Sequence, residues 1–338
     1  MESGKESPLA GAFESLYRKS ESIQYAVVDG FVGDNCRGNP AAVVVLSEWK
    51  DDQWMQDVAA EFNLSATAYL VKKEKKPGKE DPNEDPNEEL VDNNAPMKEP
   101  QHVIHEYDLR WFTPRFEVNL CGLGTFASAH LLYHTGAVSK QDTIFFHTKG
   151  GLLSTRCVVP KVGDAQTDSS EETKKPKVEL IEMNFPWITT TPASNADIKT
   201  LSDTLRSATT VSLGKASTYL IVELETREDM DKLQPNMQEL LKCDSDGLLA
   251  IAPAEESSGF DFVSRVFLPK MGMNEDPVTG SAHCILGPYW ASKTDKYDLL
   301  AQQISQRGGI LVLSMDKKMG RVSIKGQANI SMAGVLVK

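Results

Sequence analysis

Two short segments carry the residues best suited to chemistry. In the first, Leu120-Cys121-Gly122 leads to Ala127-Ser128-Ala129-His130; in the second, Val278-Thr279-Gly280 leads directly to Ser281-Ala282-His283. Each is a reactive-type residue, then a glycine, then the predicted start of a helix of small residues. A helix N-terminus offers free N–H groups and the positive end of the helix dipole, so it binds carboxylate or phosphate. Glycine there lets a ligand approach the backbone closely. Gly122, Gly280 and Ser281 are therefore candidates for holding an anionic group, and two such termini facing one another would clamp a small substrate. Cys121 at the first terminus is expected to have a lowered pKa and to act as base, acid or nucleophile. Asp276, just before Pro277, is the carboxylate candidate. Plainer alternatives stay open: simple helix starts, a structural cysteine, capping acids and a capping serine. His130 and His283 lie further into their helices and read as packed side chains rather than bases.

The elements that must position these residues follow from hydrophobic patterning. Strands are expected at 23–31, 41–46, 68–72, 107–113, 143–146, 152–159, 179–184, 217–222, 248–252, 260–267, 309–313, 320–325 and 335–338. Helices are expected at 51–62, 124–135 and 281–291, the first with Asp51 or Asp52 as N-cap. Strands outnumber helices and do not alternate strictly with them, which favours an α+β fold with mixed sheets over a doubly wound parallel one. The repeated strand–turn–helix grammar suggests two related halves. Residues 1–22 read as a flexible tail. Between Glu80 and Asp92 there are seven acids and no base; residues 73–106 are expected to be a disordered insertion.

The chain has 338 residues, 40% hydrophobic and 25% charged, with 36 basic and 48 acidic side chains for a formal net charge of −12. Its length is more than one domain of ~100–200 residues usually needs. The acidity argues against nucleic acid or an anionic membrane as partner. The apolar runs are too short to span a bilayer, which takes ~18 residues. The five cysteines are scattered without zinc spacing, so no metal site is expected, and a reduced cytoplasmic protein is the simplest expectation.

Several segments also resemble one family. They are Tyr25-Ala-Val-Val-Asp-Gly-Phe, Arg37-Gly-Asn-Pro-Ala-Ala-Val, Glu61-Phe-Asn-Leu-Ser, Trp111-Phe-Thr-Pro-Arg-Phe-Glu-Val-Asn-Leu-Cys-Gly, Ser264-Arg-Val-Phe-Leu-Pro, Glu275-Asp-Pro-Val-Thr-Gly-Ser-Ala-His and Gln306-Arg-Gly-Gly. Together they resemble the PhzF, or phenazine-biosynthesis-like, family, in wording closest to its plant members. The resemblance implies the diaminopimelate-epimerase-like fold: two similar domains, each a curved mixed sheet around a central helix, with the active site between them. The domains are expected at 23–148 and 149–338, with the last strand able to join the first domain. It further implies proton shuttling on a small carboxylate without cofactor, and a homodimer. In the phenazine enzyme the shuttling isomerises a dihydro-hydroxyanthranilate.

The chain departs from the family at two of four functional places. Ala66 stands where the family has its glutamate acid/base, and Leu123 where it has its histidine; Asp276 and Ser281 match. Losing a general acid/base costs a factor of ~100–10,000. By the same resemblance, Cys121 and Thr279 fall where related epimerases place two catalytic cysteines. Ala66 and Leu123 are expected to leave a roomier, less polar pocket suited to an anionic or aromatic metabolite. Two readings result. One is a diverged isomerase or lyase using Cys121, Asp276 and Thr279, with Gly122, Leu123, Ala66, Gly280 and Ser281 at the substrate. The other is an inactive relative that binds a ligand or protein.

Overall fold

The computed structural model describes residues 23–73, 103–158, 179–192, 208–214 and 219–336. The expected N-terminal tail and most of the acidic insertion lie outside these residues. Strand β1 (Ile23–Val32) opens the fold and pairs antiparallel with β2 (Asn39–Leu46). Four consecutive residues of β2, Ala41–Val44, are wholly buried, as a near-continuous apolar strand covered on both faces must be.

Helix α1 (Asp52–Phe62) then crosses over to β3 (Ala66–Lys72), which lies parallel to β2. The helix starts at Asp51, whose carboxylate accepts from the Trp54 amide at 2.8 Å, and ends at Asn63, in the left-handed region at φ 50°. Asparagine is one of the few residues that tolerates that conformation.

The first half closes into a ring. Strand β3 pairs antiparallel with β4 (Ile104–Phe112), which carries a short partner β5 (Glu117–Val118) and runs parallel to β6 (Thr143–Thr148). Strands β7 (Gly151–Val158) and β8 (Leu180–Pro186) follow antiparallel, and β8 pairs with β17 (Arg321–Leu336). Strand β17 returns to β1 and completes the circuit. Helix α2 (Gly122–His134) runs through this ring. Gly122–Ala129, Leu132 and Tyr133 are all buried, so the helix is apolar on every side, as an enclosed helix should be.

The second half repeats the plan. Strand β9 (Thr190–Pro192) pairs with β10 (Ala208–Gly214), and β10 pairs with β11 (Tyr219–Leu224). Two short helices, α3 (Arg227–Lys232) and α4 (Met237–Lys242), cross over to β12 (Gly247–Pro253), parallel to β11. Then come β13 (Phe262–Leu268), the short β14 (Met273–Asp276), helix α5 (His283–Thr294), and β15 (Asp298–Gln303), which is parallel to β13. Strand β16 (Gly309–Asp316) leads back to β17. The order β13–β14–α5–β15 copies β4–β5–α2–β6, so the two reactive segments sit at the same point of two similar α+β units.

The structure revises several sequence expectations. Residues 321–336 form one strand rather than two separate ones; its first half serves β8 and β16 and its second half serves β1. The insertion ends earlier than expected, because Ile104, His105 and Glu106 already belong to β4 and pair with β6. Strand β15 was not expected: the outward Asp298 and Gln302, and the polar Gln303 on the buried side, mask the Leu299 and Ala301 signal.

The halves are tied together by Arg307. Its guanidinium bonds the carbonyls of Gly38 (2.7 Å) and Arg37 (3.0 Å) and the carboxylate of Asp29 (2.9 Å). The Arg37 and Gly38 amides return bonds to the Arg307 and Gly308 carbonyls. No helix among the described residues is long and apolar enough to cross a membrane.

Lys72 lies opposite Tyr107 across an antiparallel pair, and the Lys73 amide bonds the Glu106 carbonyl at 3.0 Å. A tight turn can join such strand ends. Replacing residues 74–102 by a short Asn-Gly-type turn should therefore leave a cooperative thermal transition close to that of the full chain. Loss of that transition would show that the replaced residues contribute to the core.

Candidate functional site

The two helix starts meet at the seam between the halves. A β-carbon added to Gly122 would stand 3.6 Å from the Ser281 amide nitrogen and 3.3 Å from the Phe185 ring. Gly280–Ala282 forms a 3-10 turn that runs directly into α5. First-turn amides have no carbonyl of their own helix to bond, and those of the two helix starts lie close together at the seam.

Asp276 is the centre of the site. It is 5% exposed. Its Oδ1 accepts from the Asn39 side-chain amide at 2.8 Å and from the Ser65 hydroxyl at 3.3 Å; its Oδ2 accepts from the Thr279 hydroxyl at 2.5 Å. Asn39 and Ser65 come from the first half, so the carboxylate of one half is held by donors of the other. Burial pushes its pKa up from 3.8 to about 6, and the three donors only partly offset that. Neutral donors stabilise the carboxylate less than a cation would.

Thr279 and Asp276 are fixed by two wholly buried side chains. Gln303 accepts from the Thr279 amide at 2.8 Å and donates to the Asp276 carbonyl at 2.7 Å. His283 meets the Thr279 carbonyl through Nδ1 at 2.9 Å and the Ser264 hydroxyl through Nε2 at 3.3 Å. Burial lowers its pKa to about 4, so at neutral pH Nδ1–H donates and Nε2 accepts. His283 is thus a packed support, as expected. His130, whose pKa burial also lowers to about 4, lies two turns along α2. Glu275 is held by Arg265 through paired bonds of 2.7 and 3.0 Å and is no part of the site.

Cys121 is the N-cap of α2, and its Sγ accepts from the Gly124 amide at 3.4 Å. The expected lowering of its pKa is overturned: the value is pushed up to about 11. Burial is the main cause and the Asp276 charge adds to it, while the Gly124 and Leu123 amides lower it by less. Being at a helix start does not make a thiolate when the thiol is packed against the core and beside a carboxylate. Ala66 (1% exposed) and Leu123 (6% exposed) are both in the core and add no polar group.

Sequence reasoning missed Asn39, Ser65, Gln303 and Tyr219. Tyr219 packs against the main core beside Gly247, and its phenol pKa is raised to about 12, first by burial and then by Asp246, Asp276 and Cys121. The signals for Asn39 and Ser65 lay in the quoted motifs Arg37-Gly-Asn-Pro and Asn63-Leu-Ser. Gln303 and Tyr219 carried no local signal.

The fold and this seam define the class of protein. A family model described as "Phenazine biosynthesis-like protein" matches residues 28–86 and 93–334. The chain belongs to that family, the PhzC–PhzF family. It is 36% identical over 302 residues to an uncharacterised isomerase of Halalkalibacterium halodurans, covering 89% of this chain and 94% of that protein. It is 32% identical over 326 residues to the human phenazine biosynthesis-like domain-containing protein, covering 92% and 97%. A PhzF-family crystal structure from Enterococcus faecalis superposes with a TM-score of 0.70 at 31% identity, covering 94% of this chain and all of that one. A hydroxyproline epimerase from Agrobacterium vitis shares the fold alone, at 8% identity and TM-score 0.53. These relatives are bacterial and animal, so the expected closeness to plant members has no support among them.

Asp276 yields a signed pH prediction. Its folded pKa lies above the ordinary value, so the folded state holds the proton more tightly than the unfolded chain. That stability is present in full below about pH 4 and is lost as pH rises through about 6. Asp276→Asn should remove this loss: the melting temperature of the wild type should fall relative to the variant between those pH values. The same variant should speed alkylation of Cys121 near neutral pH, because one cause of the raised thiol is gone. Parallel melting profiles would show that the carboxylate is not buried in solution.

Proposed function

We propose that this chain is a diverged family isomerase that moves a proton on a small carboxylate at the seam, with Asp276 as base. The observation that carries this is a carboxylate 5% exposed, with pKa about 6, between two helix starts. Near neutral pH it is mostly ionised, yet basic enough to take a proton from an activated carbon. The first-turn amides of Gly122, Gly280 and Ser281 suit the substrate's own carboxylate and the charge that develops on it. Thr279, donating to Oδ2, can pass a proton to or from Asp276. Cys121 enters as the thiol: a pKa near 11 makes it an acid that returns a proton, not a resting thiolate. Two groups whose environments separate their pKa values are a workable acid/base pair. Isomerase is the description carried by bacterial relatives at 36% and 34% identity.

A second reading, a binder without turnover, is favoured by Ala66 and Leu123, which leave the first half with no acid/base of its own at those positions. We further propose a cytoplasmic protein with a small anionic or aromatic substrate. Solvent exchange separates the two readings. In D₂O, small carboxylates with an acidic C–H, supplied singly and as aromatic and hydroxy-acid panels, should gain deuterium with the wild type. Asp276→Asn should lower that rate by a factor of ~100–10,000, with Cys121→Ser less severe. Binding of a panel member by calorimetry without any deuterium gain would establish the binder instead.

A further inference from the structure

Phe31 is the one aromatic residue among the described ones with its backbone in the left-handed region, at φ 63°. That conformation is a genuine outlier for a bulky side chain and persists only where the surroundings enforce it. It falls in an irregular step of β1: the pairing with β17 shifts between Gly30 and Val32, and the pairing with β2 stops at Gly30. The side chain is wholly buried.

What surrounds the ring explains the strain. On one face it stacks on Phe126 of α2, with centroids 4.3 Å apart and planes at 21°. On another side it meets glycines of the second half. A β-carbon on Gly280 would lie 3.1 Å from Phe31 Cζ, and one on Gly326 would lie 2.6 Å from Cδ1; one on Gly309 would lie 3.0 Å from the Phe31 carbonyl oxygen. None of these three glycines has a positive φ. At Gly280 and Gly326 the phenylalanine ring occupies the side-chain space, while at Gly309 the Val278 side chain, 2.2 Å from the added β-carbon, excludes it first.

The ring thus stands between α2, whose first residue is Gly122, and the turn that carries Thr279, Gly280 and Ser281. We propose that Phe31 is a positioning residue: a wedge from the first half whose ring sets the separation of the two helix starts and thereby the place of Asp276 relative to Cys121. The proposal rests on the reading of this seam as the functional site, but its test does not need a substrate. Arg307 holds both sides of the wedge to the second half, Asp29 in β1 before it and Gly38 in the turn after it, so a displacement of Phe31 is passed to the 276–281 turn rather than absorbed at a loose edge.

The test is a double-mutant cycle on Phe31 and Gly280. Phe31→Leu removes Cε2 and Cζ, the atoms nearest Gly280; Gly280→Ala adds the methyl that those atoms exclude. The reporter is the pH profile of Cys121 alkylation by iodoacetamide, resolved by peptide mass spectrometry, with the thermal transition recorded beside it. Each single variant should change the alkylation rate by about threefold or more at about pH 8, since the thiolate is the reacting form and its pKa depends on burial and on the Asp276 charge. The double variant should return to within about twofold of the wild type, because the new methyl refills the space the ring left. Rates unchanged in Phe31→Leu while its transition falls would overturn the proposal, leaving Phe31 as ordinary core. Single effects that simply add in the double variant would overturn it as well. If the wedge holds and no carboxylate exchanges deuterium, the positioning stands and the isomerase reading fails.

Discussion

The arrangement depends on one costly act, the burial of the Asp276 carboxylate at the seam between two halves. A carboxylate out of water needs donors, and among the described residues these are the neutral groups of Asn39, Ser65 and Thr279. Because two of these donors belong to the other half, the charge can be satisfied only when the halves are docked. The same geometry keeps the carboxylate imperfectly compensated, which is why its pKa rises instead of falling. A site that is slightly uncomfortable for charge is one that can exchange a proton near neutrality.

Docking is in turn enforced by chain topology. A single strand, β17, pairs with β1 and β8 of the first-half ring and with β16 of the second half, so the two halves share one continuous strand. Arg307 adds a second tie through backbone carbonyls of the glycine-containing turn before β2. Carbonyls are fixed acceptors, so this tie holds the path of the chain rather than a mobile side chain. Asn39 follows that turn directly and thereby inherits its position beside Asp276.

Within this frame the substitutions at Ala66 and Leu123 take on a definite meaning. They fill core space, while Asp276 and Cys121 stand at the seam, one in each half. Core packing and the carboxylate both raise the thiol, so near neutral pH the carboxyl is mostly ionised while the thiol keeps its proton. The internal duplication supplies this symmetry of place, two helix starts face to face, and sequence divergence supplies the asymmetry of chemistry.

The sequence by itself determined the element types, the duplicated grammar and the family, because long apolar periodicities and the Glu275–His283 segment are local signals. It located Cys121, Asp276 and the glycines for the same reason. It erred on Cys121, since a helix start is a local feature that lowers a thiol pKa, whereas core packing and the Asp276 charge come from residues far away in the chain. It passed over β15, Gln303 and Tyr219, whose polar or isolated character has no periodic pattern. It read β17 as two strands, because a strand serving three partners changes its burial pattern midway. Only the tertiary structure decided that Asn39 and Ser65 hold Asp276, and that the Phe31 ring takes the side-chain space of Gly280 and Gly326, because both follow from contacts between segments some 210–300 residues apart.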